Sequence, residues 1–217
     1  MKRLIIICEG ETEQELCVKM LWSHFQAYDI QIECPLIKKS MGGIVSWKSL
    51  GKQIRTHLSE HAYVTTFIDL YGIKQQHQFP LWEDAIRKTD KYELLKTLED
   101  GMRKDIGDYH FIPYIQLHEF EALLFNNKET FLRVIPEEDI SCEAELDNVL
   151  SRYPNPELIN NSPETSPSHR LQHIIPSYDK VLYGYFLAED IGIDKMRKKC
   201  PHFNEWLSRL ENLQSAV

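Results

Sequence analysis

The sequence predicts an α/β protein: a parallel sheet flanked by helices, followed by a helical portion toward the C-terminus. Three observations predict it. The run Leu4 to Ile7 is continuously apolar, the pattern of a strand buried on both faces of a parallel sheet. A second run, Tyr63 to Ile68, is dense in β-branched and aromatic residues. Stretches of helical period separate such runs, and strands alternating with helices imply three layers with a parallel sheet in the middle.

Each element follows in order. After the first strand, Gly10 permits a tight turn, and Thr12 is placed to N-cap a helix, with Glu15 three residues on completing a capping box. That helix is expected from about Glu13 to Ala27, with Leu16, Cys17, Met20, Leu21 and Phe25 as its apolar stripe. A second strand is expected around Ile30 to Ile37. Gly42 and Gly43 then form a loop before a helix from about Ser46 to His61. The strand Tyr63 to Ile68 ends in Asp69. A loop with Gly72 and Pro80, a helix from about Lys91 to Lys104, and a strand from Tyr109 to Leu117 complete the α/β part. From about Phe120 the segments become short and helical, and Pro154, Pro156, Pro163 and Pro167 interrupt the chain. Ser166-Pro167 reads as a helix start, and the last helix, about Asn204 to Leu213, buries Trp206, Leu207, Leu210 and Leu213. The expected division is a core of residues 1–125 and a helical extension of residues 126–217 packed on it.

Composition narrows the class. At 217 residues the chain is long enough for a sizeable core, and 42% hydrophobic with 27% charged residues is a globular balance. No apolar run reaches membrane-spanning length, and a strand at the very start leaves no room for a signal peptide, so a cytoplasmic protein with no membrane partner is expected. The five cysteines, at 8, 17, 34, 142 and 200, show no CxxC or zinc spacing and read as reduced thiols, with Cys8 packed under the sheet. A net charge of −8 argues against wrapping nucleic acid on one broad basic face. It leaves room for a carboxylate cluster that a divalent cation would neutralise.

Carboxylates at strand ends are the candidate chemistry, because open α/β sheets place their sites at the carboxyl edge. Glu9 follows the first strand and Asp69 the strand Tyr63 to Ile68, both positioned to ligate a hard cation. Acidic residues in a helix first turn also suit the helix dipole, and this is the alternative for Glu11 and Glu13. Beyond the strand at Leu117 stand His118, Glu119 and Glu121. If that segment is extended, Glu119 and Glu121 point the same way; if helical, His118 and Glu121 share a face instead. A hard cation favours a glutamate over His118. Arg170 and Lys180 are late cations that suit phosphate, with surface ion pairs as the alternative, Asp179 being the neighbour of Lys180. His169 and His173 are four apart on one helix, with no third metal ligand in view.

Four segments, CEGETE (8–13), TTFIDLYG (65–72), PYIQLHEFEALLF (113–125) and the late PSHR…YDK…CPHFNEWL, span nearly the whole chain. Together they resemble the Toprim fold of topoisomerases, primases and overcoming-lysogenization-defect (OLD) nucleases, and in particular a Toprim-like bacterial family encoded beside ABC-type ATPases in anti-phage operons. The resemblance implies a Rossmann-like core and a Mg²⁺- or Mn²⁺-dependent nuclease acting on DNA or RNA. It implies Glu9, Asp69 and one of Glu119 or Glu121 as metal residues, with Glu13 for a second metal or a metal-bound water, and Glu9, Asp69 and Lys180 as catalytic ones. Gly10, Tyr71, His118 and Arg170 become the candidate substrate contacts. One departure stands out. Toprim domains carry a D-x-D at the second motif, and here the second Asp is Tyr71. The chain has no GxxxxGK[ST] loop, so any ATP control implies an ABC-type ATPase partner, and a homo-oligomer is open. The alternative is a non-catalytic Toprim-like module that docks on the ATPase.

Overall fold

A computed structural model describes residues 1–38, 40, 43–159, 162 and 164–213; Gly42 and Pro163, singled out above, lie outside the described residues. The chain divides into two compact units. One is Met1–Gln116 with the chain from Trp206 onward, and the other is Leu117–Glu205.

The first unit is the parallel sheet. Its strands are β1 (Lys2–Cys8), β2 (Ile30–Glu33), β3 (Tyr63–Asp69), β4 (Phe111–Ile112) and β5 (Ile115–Gln116). They run in the order β2-β1-β3-β4, all parallel, with β5 also pairing β3. Leu4 to Cys8 and Tyr63 to Ile68 are buried throughout, as a sheet covered on both faces requires. The expected single strand from Tyr109 to Leu117 is two short pieces. Pro113 has no N–H to give the ladder, and Thr66 bridges the gap by accepting from Tyr114 N at 3.1 Å and donating to Tyr114 O at 2.8 Å. Trp206 stacks on Tyr114 at 4.4 Å between ring centroids and donates to Thr65 Oγ1 at 2.9 Å.

The helix after β1 begins earlier than expected and is capped differently. Its N-cap is Gly10, not Thr12, because Glu13 reaches back to accept from the Gly10 N–H at 2.9 Å. Glu15 does not cap; it pairs with Lys19 at 2.6 Å. The helix runs as Glu11–Leu16, a π-helical turn Cys17–Leu21, and Trp22–Gln26. The helix Trp47–Leu58 follows β2, and Lys91–Ile106 precedes β4. The latter is capped by Asp90, which accepts from Glu93 N, and ends at Gly107 in the left-handed region, φ 71°.

The second unit is helical. Its helices are Lys128–Val134, Glu143–Arg152, Pro167–Ile174, Leu182–Ile191 and Ile193–Lys199. Ser166 caps the third of these with Pro167 at its first position, as the sequence predicts. Leu123, Leu124, Phe125, Phe131, Leu146, Leu171 and Leu187 are fully buried and form its core. The last helix, Pro201–Glu211, starts three residues before Asn204. Glu157, with no exposed surface, makes that early start possible by accepting from His202 N at 3.1 Å and Phe203 N at 2.8 Å. Pro201, His202 and Phe203 are therefore the first turn of this helix.

Candidate functional site

In the first unit the site is built at the carboxyl end of β1 and β3. These strands pair from Leu4↔Tyr63 to Cys8↔Phe67, so Glu9 and Asp69 emerge at the same edge. Glu9 N donates to Phe67 O at 3.1 Å, and the Glu9 Oε2 accepts from Asp69 N at 2.9 Å. The backbone of one candidate thus holds the carboxylate of the other. Gly72, on the short turn Leu70–Gly72, forms the wall. A Cβ there would stand 2.8 Å from Glu9 Oε1, so only glycine leaves the carboxylate its present place.

Burial pushes the Glu9 carboxyl up to about 7. The hydrogen bond from Asp69 N opposes the shift, and the nearby Glu13 charge adds to it. Glu13 is itself buried, with one oxygen on the Gly10 N–H. Gly10 serves as the elbow between the two carboxylates. Tyr71 is 41% exposed and packs its ring under Lys74, whose Nζ lies 4.4 Å from the ring centroid. It takes no part in holding Glu9.

In the second unit the HEFE segment settles the question left open by its sequence. His118 is buried in the left-handed region, φ 68°, which turns the chain sharply at the end of the strand segment. Glu119 remains extended and the 3₁₀ turn Phe120–Leu124 follows it. The two glutamates go to different partners. Glu119 Oε2 accepts from Ser168 N at 2.9 Å, at the start of the helix Pro167–Ile174. Glu121, 2% exposed, takes Lys180 Nζ at 2.7 Å. Lys180 therefore pairs with Glu121, not with Asp179, which caps the next helix by accepting from Leu182 N at 2.7 Å.

Arg170 has other engagements. Its guanidinium is largely buried, donates to Thr165 O at 2.9 Å and pairs with Glu145, so it braces the start of the helix Pro167–Ile174. His169 bonds Ser166 Oγ at 2.9 Å through Nδ1. Two further residues escaped the sequence reading. Gly72 is one. The other is Tyr178, in the YDK segment: its hydroxyl is buried with no hydrogen-bond partner among the described residues. Burial, and after it the charges of Glu121, Asp179 and Glu119, push that hydroxyl far above the usual tyrosine range.

Glu9, Glu13 and Asp69 thus belong to the first unit, and Glu119, Glu121, Tyr178 and Lys180 to the second. Among the described residues, no three His, Cys, Asp or Glu side chains gather at a spacing that holds a metal by themselves. In kind, the oxygen donors Glu9, Glu13 and Asp69 fit a hard cation that keeps several of its waters.

No curated protein matches the chain. Among solved structures it is similar to the C-terminal region of the OLD protein of Xanthomonas campestris pv. campestris, at 16% identity and a TM-score of 0.45, over 98% of this chain and 99% of that one. A family model, described as a domain of unknown function (DUF4276), matches residues 8–211, and the chain belongs to that family.

Proposed function

We propose that the chain is a metal-dependent nuclease subunit of Toprim type, hydrolysing DNA or RNA phosphodiesters as the effector of an ATPase-coupled anti-phage system. The observation that carries this reading is Glu9. It is a carboxylate taken out of water at the carboxyl edge of the sheet, beside the Glu13 carboxylate and held by the Asp69 N–H. Clustering like charges in this way costs stability, and cation binding is a function that offsets the cost. The four-segment resemblance to Toprim proteins points to the same residues.

The roles follow from local geometry. The Asp69 N–H fixes the direction of Glu9, and Gly72 keeps the space its carboxylate occupies. Glu9, with Glu13 and Asp69, would hold Mg²⁺ or Mn²⁺, which supplies Lewis acidity toward a phosphoryl oxygen when bound. Lys180 offers positive charge to a phosphate and has Glu121 as its resting partner. By the family resemblance, ATP control would come from a separate ABC-type ATPase subunit; this sequence carries no GxxxxGK[ST] motif.

A specific observation favours a second reading, a docking module without turnover. Glu9, Glu13 and Glu119 each spend one oxygen on a backbone N–H, and Glu121 is paired with a lysine. The two readings separate in one experiment. Supercoiled DNA and tRNA are incubated with the wild type and with Glu9→Gln, in Mg²⁺ or Mn²⁺, while Mn²⁺ binding is followed by calorimetry. The nuclease reading expects cleavage and Mn²⁺ binding by the wild type, both lost in a folded Glu9→Gln. Absence of both from the wild type, or equal cleavage by the two proteins, rejects it.

A further inference from the structure

Three cysteines far apart in sequence meet in the first unit, and none of the three has a role in the site described above. Cys8 ends β1 and is fully buried, as is Cys17 on the π-helical turn; their Sγ atoms lie 3.9 Å apart. The thiol of Cys34, just past β2, lies close enough to both to interact with them. Its backbone is tied to the helix that carries Cys17, because Gln14 Nε2 donates to Cys34 O at 2.6 Å. Gln14 and Cys17 are three apart on that helix and so lie on one face. Cys8 N donates to Pro35 O at 2.9 Å, which fixes the other side of the cluster.

Unlike its two partners, Cys34 is not fully buried. It lines a surface pocket of about 420 Å³ with Val18, Trp22, Ile32, Glu33, Pro35 and His57. Trp22 and Val18 are about half exposed, so a small molecule meets an apolar wall beside the sulfur. One accessible thiol over two buried thiols is the arrangement of an attacking cysteine and its resolving partner.

We propose that Cys34 is a reactive thiol of this protein that attacks low-molecular-weight disulfides from this pocket, and that Cys17 resolves the adduct into an intramolecular Cys17–Cys34 disulfide. In the first step the Cys34 thiol gives up its proton and its sulfur attacks RS–SR. The S–S bond breaks, Cys34–S–S–R forms and one RSH leaves. In the second step Cys17 sulfur attacks Cys34 sulfur, the bond to SR breaks, and the Cys17 proton goes to the leaving group as a second RSH. The protein dithiol is oxidised by two electrons, and the small disulfide is reduced to two thiols. Hydrogen bonding to Cys17 holds the Cys34 thiol below its ordinary value against burial and the Glu33 charge, and burial pushes Cys17 up, which sorts attacker from resolver in the same way.

The test uses the full chain and oxidised glutathione. After timed exposure, free thiols are alkylated and the protein is digested without reductant for mass spectrometry. The wild type is expected to yield a peptide pair linked through Cys17 and Cys34. Cys17→Ser should instead accumulate glutathione on Cys34, and Cys34→Ser and Cys34→Ala should both lose the cross-link and the adduct. Circular dichroism of each variant separates chemistry from unfolding. A wild type that keeps glutathione on Cys34, a link made through Cys8, or modification of Cys142 ahead of Cys34 would overturn the proposal.

Discussion

Glu9 and Glu121 are two carboxylates removed from water in different ways. Glu9, in the sheet unit, is held by a backbone N–H from Asp69 and sits near a like charge, Glu13. Glu121, in the helical unit, is more deeply buried and has a cation, Lys180, within 2.7 Å. A backbone dipole orients a carboxylate without neutralising it, whereas an ammonium does both. Of the two, therefore, Glu9 retains the demand for positive charge. Glu121 has an answer within its own unit, and any phosphate that drew Lys180 away would leave that answer undone.

The comparison breaks first on pH. The Glu9 carboxyl sits at about 7 against an ordinary value of 4.5. A raised carboxylate pKa means that the folded state holds the proton more tightly than the unfolded one. The associated stability is present below the ordinary glutamate value and is lost as pH rises through about 7. In the metal-free protein this amounts to on the order of 3 kcal/mol. Glu9→Gln should flatten Tm against pH between about 4.5 and 7 and leave the variant more stable than the wild type at neutral pH. A Tm profile with the same slope in both proteins would assign Glu9 an ordinary titration and end the contrast with Glu121.

A second experiment sharpens the other half. Lys180→Ala leaves Glu121 buried without its cation, and with nearly half of the lysine side chain exposed the cost should be about 1–2 kcal/mol by denaturant melts. Adding Glu121→Gln should recover most of it. If Lys180 also contacts a scissile phosphate, the double variant regains stability but not cleavage, and cleavage falls far more than nucleic-acid binding. Recovery of both would reduce Lys180 to the counter-ion of Glu121.

The smallest effect concerns Gly72. A methyl group there would press on Glu9 Oε1 at 2.8 Å and turn the carboxylate. Gly72→Ala should cost about 1 kcal/mol in stability and weaken Mn²⁺ binding in calorimetry without disturbing the Glu121 pair. Unchanged Mn²⁺ affinity would show that the position of Glu9 is not what the glycine protects.

The sheet was legible because its strands are apolar runs with no competing period: β1 and β3 lie where Leu4 to Ile7 and Tyr63 to Ile68 predict them. The edge shared by Glu9 and Asp69 was legible for the same reason, since strand ends follow from strand positions. Partners across long sequence distances were not. Nothing near Arg170 announces Glu145, and nothing near Pro201 announces Glu157 as the cap that extends the last helix. The first helix was misjudged at its start because two capping arrangements overlap in EGETEQE. The one with glycine at the N-cap wins, since Glu13 can then serve the Gly10 N–H and remain buried by the site. Pro113 was visible in the sequence, but Thr66, which makes the broken strand workable, lies on another strand.

The π-helical turn Cys17–Leu21 has a geometric consequence for the length of its helix. On a regular α-helix, Glu13 and Phe25 are twelve residues apart and point about 120° away from each other; a bulge that absorbs one residue brings them to within about 20°. Both are buried, one beside Glu9 and one in the core. The bulge is thus a phase corrector between a chemical end and an anchoring end. Deleting one residue from the turn would leave both ends aligned, whereas the same helix wound as regular α at its present length would turn Glu13 off the buried face.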